Sequence, residues 1–265
     1  LLSILILTGC NEKINSMKSE TKKSETNVSA YVSPNVYSKI DDRIEVKCPV
    51  DNTLVIVGFG QSNSANSGGH RFEAEGRKIY NLFDGRCYEA EDPLLGASGY
   101  SGSLWIPLAK KISEDNIVIA TFGVGGTSVL QWVDNSSLFP FYNENKIKIK
   151  KIYPNPDHII WIQGESDKFS DTEVFKKNLK EFMLVVKKDF PLSKIWLTGT
   201  SYCSGSFNSQ IVEMQYQVTQ ELNLGFAGIT DNFSEKRFRY DDCHFSEQGL
   251  LKISELIFKN LEERD

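Results

Sequence analysis

The sequence predicts an α/β fold: a flavodoxin-like, three-layer α/β/α sandwich with a five-stranded parallel sheet. Two observations lead to this prediction. From about residue 50, short runs rich in strand-forming residues alternate with helical patterns, and the polar clusters of the chain follow those runs. Alternation of strand and helix is typical of a parallel sheet that is covered by helices on both faces. Such sheets bind ligands outside the carboxyl ends of their strands, so a functional site is expected there.

Five runs are predicted as strands, and the first leads directly into the sequence GFGQSN at 58–63. The stretch from Arg71 to Gly102, with its glycines, is predicted as a long loop or hairpin excursion. The five runs are Thr53–Val57, Asn116–Phe122, His158–Ile162, Lys194–Thr198 and Gly225–Ile229.

Helices are predicted between the strands where apolar residues recur three or four positions apart. A capping box, SDTE at 170–173, opens the second of them, and the last follows Ser246, with Phe245 and Leu250 placed as a hydrophobic staple. The three apolar stripes are Leu104, Leu108 and Ile112; Phe175, Leu179, Phe182 and Val186; and Ile211, Met214, Val218 and Leu222.

Length and charge limit the classes of protein to consider. The chain has 265 residues, 40% of them hydrophobic and 25% charged, which allows one large domain or two small ones with a sizeable core. The formal net charge is −5, and no Lys/Arg stripe is interleaved with aromatic residues. Nucleic-acid binding therefore has little support.

The first ten residues, LLSILILTGC, are apolar but too few to span a bilayer. They resemble the end of a secretory signal peptide with a bacterial lipobox, in which Cys10 is lipidated and becomes the mature N-terminus. The alternative is a frayed apolar terminus with a chance cysteine. The polar segment that follows is typical of a flexible tether. We therefore expect a partial lipoprotein signal peptide over 1–10, a tether over 11–45 and a folded domain over 46–265, exported and lipid-anchored at the bacterial cell envelope.

Four further cysteines, Cys48, Cys87, Cys203 and Cys243, are an even number, which in an exported protein permits two disulfides in any of three pairings. A bond between Cys203 and Cys243 would pin the loop next to His244. Free buried thiols are the alternative. A catalytic cysteine is disfavoured because a better nucleophile is available.

That nucleophile is Ser62, which follows the first predicted strand in the sequence Gly60-Gln61-Ser62-Asn63. A turn at this point would expose the serine and its backbone N–H. The chain has no G-x-S-x-G sequence, so an ordinary α/β-hydrolase elbow is not predicted. The alternative is a serine that caps the N-terminus of a helix.

A second cluster, RYDDCHFSEQG, contains His244, one of only three histidines, with Asp241 three residues before it. At this spacing the aspartate can fold back within one turn and accept a hydrogen bond from Nδ1–H. That bond fixes the histidine tautomer and stabilises the imidazolium. The alternative is a solvated acidic loop before a helix.

Two further turns complete the set. The sequence FGVGGTSVLQW follows the second strand and offers small residues whose backbone N–H groups can approach an oxyanion. The sequence WIQGESD follows the third strand and places Gln163, an amide donor, at the strand end. Glycines alone are weak evidence because tight turns need them in any case.

With these motifs, residues 53–260 resemble the SGNH (GDSL-like) hydrolase superfamily, within its carbohydrate-esterase branch of sialate O-acetylesterases and acetylxylan esterases. The matching motifs are GQSN, GGTS…W, WIQGESD and DDCH. The resemblance implies the SGNH hydrolase fold and removal of O-acetyl groups through an acetyl-enzyme intermediate. Ser62 is then the nucleophile, His244 the general base and Asp241 its partner. The implied oxyanion donors are the backbone N–H groups of Ser62 and Gly126 and the side-chain amide of Gln163.

The third motif departs from the Gly-x-Asn-Asp sequence that is usual in the superfamily. Gln163 is the implied replacement for the asparagine donor, and Glu165 and Ser166 are the alternatives in the turn after this strand. Four residues are expected to bind substrate: Gln61, Asn63, Trp132 and Glu165. No cofactor or metal is expected, since the three histidines are scattered and none are in H-x-x-x-H spacing.

Three functions remain open at the level of sequence. The first is a lipid-anchored carbohydrate O-acetylesterase. A thioesterase or lysophospholipase of the same fold would need a long apolar groove, which Trp132 and Phe139 could line, although both also suit stacking against a sugar. A catalytically silent glycan-binding lipoprotein is the third, and the intact Ser62, Asp241 and His244 argue against it. The sequence does not identify the sugar.

Overall fold

The computed structural model describes residues 33–262 of the chain. The predicted signal peptide, Cys10 and most of the predicted tether lie outside the described residues. Within 33–262, no helix has the length and apolar character needed to cross a membrane.

The described residues contain one sheet of eight strands. In chain order these are β1 (Glu45–Val46), β2 (Thr53–Gly60), β3 (Ile79–Phe83), β4 (Arg86–Glu89), β5 (Asn116–Thr121), β6 (His158–Ile162), β7 (Lys194–Gly199) and β8 (Gly225–Ile229). Their order across the sheet is β1-β4-β3-β5-β2-β6-β7-β8. The six strands from β3 to β8 in this order are parallel, whereas β4 pairs antiparallel with β3 and β1. The predicted fold class is confirmed and all five predicted strands are present, but the predicted strand number was too low.

The additional strands β3 and β4 form a hairpin inside the stretch 71–102. Asp84 and Gly85, which connect them, both have positive φ, at 50° and 75°, as a two-residue hairpin turn requires. A buried asparagine, Asn81, lies in the middle of β3, where it accepts from Leu95 N at 2.6 Å and donates to Ile119 O at 3.2 Å. This polar residue interrupts the apolar pattern of β3, which is why the sequence did not distinguish the strand from a loop.

Helices cover both faces of the sheet. They are α1 (Trp105–Ala109), α2 (Phe139–Ile152), α3 (Thr172–Asp189), α4 (Ser209–Leu222) and α5 (Glu247–Glu262). Apolar residues of α2, α3 and α4 form one core cluster with Val55 and Val57 of β2. Those of α1 and α5 form a second cluster with Ile56, which points to the opposite face. Side chains alternate along a strand, so β2 is buried on both sides, as a central parallel strand must be.

Three details of the helices differ from the prediction. Helix α2 was not predicted, because it buries only Phe141, Tyr142 and Ile149 over its 14 residues and shows no long apolar stripe. The N-cap of α3 is Asp171 rather than Ser170: its carboxylate accepts hydrogen bonds from Glu173 N and Val174 N. Helix α1 has only five residues and ends before Ile112.

The described end of the predicted tether lies against the domain. Tyr37 exchanges backbone hydrogen bonds with Gly96 and Ala97. The buried guanidinium of Arg43 donates to the carbonyl groups of Glu91 and Pro93 and lies 2.9 Å from the Glu91 carboxylate. The side chain of Asn35 also donates to the Tyr100 hydroxyl at 3.4 Å, so the contacts of the domain reach back to residue 35.

Candidate active site

Turns at the carboxyl ends of the strands enclose a cleft of about 480 Å³. Its lining includes five residues that the sequence singled out as site residues: Gln61, Ser62, Gly126, Glu165 and His244. The other lining residues are Ser67, Ser98, Gly99, Gly125, Ser166, Cys203 and Cys243. A second cleft of about 460 Å³, beside β3 and β4, is lined by neither serine nor histidine.

The sequence GFGQSN bends the chain sharply at the end of β2. Gly60 has φ of +133°, and a Cβ atom there would lie 2.0 Å from Ile162 O of β6, so only glycine fits. Residues Ser62–Ser64 then form a short 3₁₀ turn that begins with Ser62. Ser62 is therefore inside the turn rather than its N-cap, and its Oγ forms no hydrogen bond with any residue in 33–262. The hydroxyl is left at the wall of the cleft.

The side chains of Asp241 and His244 are paired as the spacing predicted. Asp241 Oδ2 lies 2.6 Å from His244 Nδ1, and Oδ1 accepts the backbone N–H of His244 at 2.7 Å and of Cys243 at 3.1 Å. Partial burial opposes ionisation of Asp241, but the hydrogen bonds from His244 outweigh it and hold the pKa of this carboxyl below its usual value. An ionised Asp241 fixes Nδ1 as the protonated nitrogen and leaves Nε2 free to accept a proton.

The loop that carries His244 is held from two sides. A disulfide joins Cys243 to Cys203, in the loop after β7. The buried guanidinium of Arg239 donates to the carbonyl groups of Cys243, Phe233 and Thr230. The sequence analysis did not single out Arg239. In this segment the spacing of Asp241 from His244 was the feature that indicated a function. The second disulfide joins Cys48 to Cys87 of β4, so the pairing left open by the sequence is 48–87 and 203–243.

The turn after β5 packs directly against Ser62. A Cβ atom at Gly125 would lie 3.5 Å from Ser62 Cβ, and Gly125 N donates to Ser98 Oγ at 2.7 Å. Gly126 has φ of +72°, and its backbone N–H has no hydrogen-bond acceptor among the described residues. Gly126 therefore lies where the sequence predicted a backbone donor, with its N–H unoccupied.

Gln163 does not lie where the prediction requires. Its side chain is completely buried and does not line the cleft. Its Nε2 faces three acceptors inside the protein: Gln61 Oε1 at 2.8 Å, Asp167 Oδ2 at 2.8 Å and Thr127 O at 2.5 Å. An amide with two N–H bonds has no donor left for a substrate. The predicted oxyanion role of the Gln163 side chain is therefore wrong.

The network behind Gln163 ends on Asp167, the last residue of the WIQGESD motif. Its buried carboxylate also accepts the backbone N–H of Val129, at 3.0 and 3.1 Å to its two oxygens. Burial raises the pKa of Asp167 to about 6, although these hydrogen bonds act in the opposite direction. In the sequence, this network is indicated by the aspartate four residues after Gln163. The structure is needed to show that the side chain of this aspartate points into the protein.

Glu165 and Asn63 form a buried pair at the cleft wall. Asn63 Nδ2 donates to Glu165 Oε1 at 2.6 Å and to Cys243 O at 3.3 Å, which links the nucleophile turn to the His244 loop. Burial raises the pKa of Glu165, and its Oε2 has no partner among the described residues. Asn63 is absent from the described cleft lining and its amide is occupied, so it is a link between loops rather than the predicted substrate contact.

Trp132, which was predicted to bind substrate, does not lie at the cleft either. It is completely buried in the core, where its ring centroid lies 5.5 Å from that of Trp161, and its Nε1 donates to Thr127 Oγ1 at 3.3 Å. Phe139 is half-buried at the start of α2 and stacks on Tyr142. Neither residue lines the cleft, because both pack on the hydrophobic core cluster that contains residues of α2, α3 and α4.

A serine after the first central strand of a three-layer α/β/α sandwich and an Asp-x-x-His sequence before its last helix define a class, the SGNH-type carboxylic ester hydrolases. Within that class, residues 52–262 match the family described as carbohydrate esterase, sialic acid-specific acetylesterase. The match covers most of the chain, so the chain belongs to this family of carbohydrate esterases.

Solved structures show the same fold at low sequence identity. A protein from Arabidopsis thaliana is 18% identical with a TM-score of 0.60, and the match covers 80% of this chain and 98% of the plant chain. NanS is 15% identical with a TM-score of 0.56, covering 80% of this chain and 98% of NanS. Est24, a carbohydrate acetylesterase from Sinorhizobium meliloti, is 10% identical with a TM-score of 0.54, covering 80% and 100%. No curated protein matches the chain.

Proposed function

We propose that the protein is a serine esterase that removes O-acetyl groups from a carbohydrate, through Ser62, His244 and Asp241 and an acetyl-enzyme intermediate. The observation that carries this proposal is the 2.6 Å contact between Asp241 and His244, with His244 and Ser62 lining the same cleft. A paired histidine facing a serine with a free hydroxyl is the arrangement that activates a serine nucleophile.

The reaction proceeds in two steps. Ser62 Oγ attacks the acetyl carbonyl while His244 Nε2 takes its proton, and the carbonyl electrons move onto oxygen. His244 then returns the proton to the leaving sugar oxygen as the ester bond breaks. Water then attacks the acetyl-enzyme while His244 Nε2 takes its proton, and His244 returns that proton to Ser62 Oγ as the acyl bond breaks, which releases acetate and free Ser62. Asp241 remains ionised and stabilises the imidazolium throughout.

The oxyanion needs donors that are fixed before the reaction. The backbone N–H groups of Ser62 and Gly126 have no acceptor within residues 33–262, and both residues line the cleft. They are the donors that this proposal uses.

The cleft lining favours a small acyl group. Its twelve residues are serines, glycines, cysteines, a glutamine, a glutamate and a histidine, without any Leu, Ile, Val, Met, Phe, Tyr or Trp. A long acyl chain would find no large aliphatic side chain to pack against here, which argues against a thioesterase or lysophospholipase. The family description names sialic acid, so acetylated sialic acid is the first sugar to test, followed by acetylated polysaccharides.

The test is hydrolysis of p-nitrophenyl acetate and p-nitrophenyl octanoate by the wild type, by Ser62→Ala and by a control variant, Ser67→Ala, in which another serine of the cleft is removed. We expect the acetate to be preferred, Ser62→Ala to lose a factor of about 10⁶ in kcat, and Ser67→Ala to stay close to the wild type. The melting temperature of both variants should match the wild type. More than a few per cent residual activity in Ser62→Ala contradicts the assignment of the nucleophile, and an inactive wild type favours a silent glycan-binding protein.

A further inference from the structure

The side-chain amide of Gln61 has an acceptor, Oε1, and a donor, Nε2, and only Oε1 is hydrogen-bonded to other residues in 33–262. Its Oε1 accepts the backbone N–H of Ser166 at 3.1 Å and Gln163 Nε2 at 2.8 Å. Because a backbone nitrogen can only donate, the atom that faces Ser166 must be the oxygen. Gln61 Nε2 therefore points the other way.

The amide nitrogen of Gln61, Nε2, faces the cleft. Gln61 is 2% exposed and lines the cleft next to Ser62. Its Nε2 forms no hydrogen bond with any residue in 33–262, yet it is not among the fully enclosed polar atoms of this range that lack a partner, which are Trp161 Nε1, Glu165 Oε2 and Ser193 Oγ. An almost completely buried amide thus keeps one pair of N–H bonds open to the cleft.

The other side of the amide is fixed rigidly. Gln163, which is completely buried, holds Gln61 Oε1 and is itself held by Asp167 and Thr127 O. Asp167 in turn accepts from Val129 N. Neither amide can rotate without losing several buried hydrogen bonds. Donors that are oriented in advance in this way stabilise charge more than mobile ones do, because they need no reorganisation when the charge forms.

From this geometry we propose that Gln61 Nε2 is the side-chain donor to the oxyanion and that Gln163 is a positioning residue that orients it. The inference rests on the proposed esterase function. When Ser62 attacks the acetyl group, the carbonyl oxygen becomes negative, and it accepts hydrogen bonds from the backbone N–H groups of Ser62 and Gly126 and from Gln61 Nε2. Residues 61 and 62 are adjacent, so one turn supplies the nucleophile and two of the three donors.

The decisive variant is Gln61→Glu. The introduced carboxylate retains an oxygen for Gln163 Nε2 and Ser166 N but has no N–H to offer, so it removes the donor and preserves the internal hydrogen bonds. At pH 8 we expect kcat on p-nitrophenyl acetate to fall by roughly 10²–10³, the usual loss for one oxyanion donor. KM should change less than about threefold, since the donor acts mainly on charge formed in the transition state. Because the added carboxylate is almost completely buried, the melting temperature should fall, and kcat is therefore measured well below it on folded enzyme.

Gln163→Leu and the double variant test the positioning role. Gln163→Leu removes three internal contacts, so its melting temperature should fall, and its kcat should fall because Gln61 is no longer oriented. If Gln163 acts on catalysis through Gln61, the double variant should have the kcat of Gln61→Glu alone, whereas two independent roles would multiply the two losses. A purely structural role of Gln163 does not produce this non-additivity.

Each remaining outcome decides the matter. A folded Gln61→Glu enzyme with kcat within tenfold of the wild type overturns the proposal. If Gln61→Glu does not fold, the neutral variant Gln61→Met, which also lacks the N–H, takes its place, and a folded Gln61→Met enzyme with kcat within tenfold of the wild type overturns the proposal. Multiplicative losses in the double variant overturn the positioning role. Failure of the esterase function itself looks different: activity is then absent from the wild type or persists in Ser62→Ala.

Discussion

Asp241 and Asp242 are adjacent carboxylates with different partners. Asp241 holds Nδ1 of His244, whereas Asp242 Oδ1 accepts from the Tyr202 hydroxyl at 2.7 Å. Asp242 has φ of +65°, a turn conformation that directs its side chain away from its neighbour's. The chemistry of the two residues is identical, so the direction of each side chain alone determines its function.

This difference predicts that Asp241→Asn lowers kcat much more than Asp242→Asn. The first variant removes the carboxylate that fixes the histidine tautomer, and such a change costs about 10⁴ in kcat in serine proteases. The second leaves an amide oxygen that can still accept from the Tyr202 hydroxyl, and it should cost less than tenfold. Steady-state kinetics on one acetate ester measure both variants, and a larger loss in Asp242→Asn reverses the assignment.

Single residues also show how far the sequence determines the site. Ser62, Asp241 and His244 were predicted from residue chemistry and spacing, and in the structure Asp241 pairs with His244, which lines the same cleft as Ser62. Their catalytic roles stay a prediction. Gln163 and Trp132 were misassigned because a residue type at a strand end does not reveal which way the side chain points. Both are completely buried, one in a polar network and one in the aromatic core. That direction depends on neighbours distant in the chain, such as Gln61 and Phe182.

At the level of elements, the two disulfides close loops of nearly equal length but in different places. Their sequence separations are 39 residues for Cys48–Cys87 and 40 for Cys203–Cys243. By the loop-closure estimate, each stabilises the fold by about 4 kcal/mol. Only Cys203–Cys243 forms part of the cleft wall and adjoins His244.

We therefore expect a double substitution of Cys203 and Cys243 by serine to lower both stability and kcat. The same substitution of Cys48 and Cys87 is the matched control, and it should lower stability with kcat nearly unchanged. Urea unfolding and kcat, both measured well below the melting temperatures, separate the two effects. Equal retention of kcat in the two double variants means that the His244 loop does not need the bond.

The loop between β4 and α1 is pinned by a buried acid. Asp92 accepts hydrogen bonds from Phe72 N, Ser103 N and Ser103 Oγ at 2.8–3.0 Å, and burial raises its pKa to about 7. In the unfolded chain the pKa is about 3.9. Between these values the folded state binds the additional proton, so the contribution of Asp92 to stability falls as pH rises from about 4 to about 7 and then levels off.

The measurement is the slope of melting temperature against pH from 5 to 8 for the wild type and for Asp92→Asn. Other groups titrate in this range, including His158, whose lowered pKa from burial acts in the opposite direction. The difference between the two slopes isolates Asp92. We expect the wild type to lose more stability towards pH 8 than the variant, and identical slopes would show that Asp92 does not titrate in this range.

The sheet shows which elements a sequence can predict. Four of the five predicted strands were found because they are largely apolar runs, as burial on both faces requires, whereas β8, at the edge of the sheet, is mostly half-buried. Strand β3 contains the buried Asn81, and α2 buries only three side chains, so neither carries a periodic signal of its own. Both form because tertiary contacts complete them: β3 by pairing with β5, and α2 by packing on the face of β2 and β5.

At the level of the whole molecule, two disulfides are typical of proteins that fold in an oxidising compartment. Export itself stays a prediction from the N-terminal sequence. A lipid-anchored esterase would act on glycans held near the membrane surface, where the tether determines how far the cleft reaches. Cys10 itself lies outside the described residues, so the anchor is a proposal from the sequence.

The anchor predicts a specific chemical outcome for Cys10→Ser. Expressed from its native gene in a bacterial host, the wild type should incorporate labelled palmitate and partition into detergent, since several acyl chains on one cysteine give stable membrane binding. Cys10→Ser should incorporate no label and should retain its signal peptide, which mass spectrometry detects as a heavier chain. Esterase activity per folded molecule should be the same in both proteins, because residue 10 precedes the domain. Label that persists in Cys10→Ser, or wild-type protein that is released without detergent, contradicts lipidation at this cysteine.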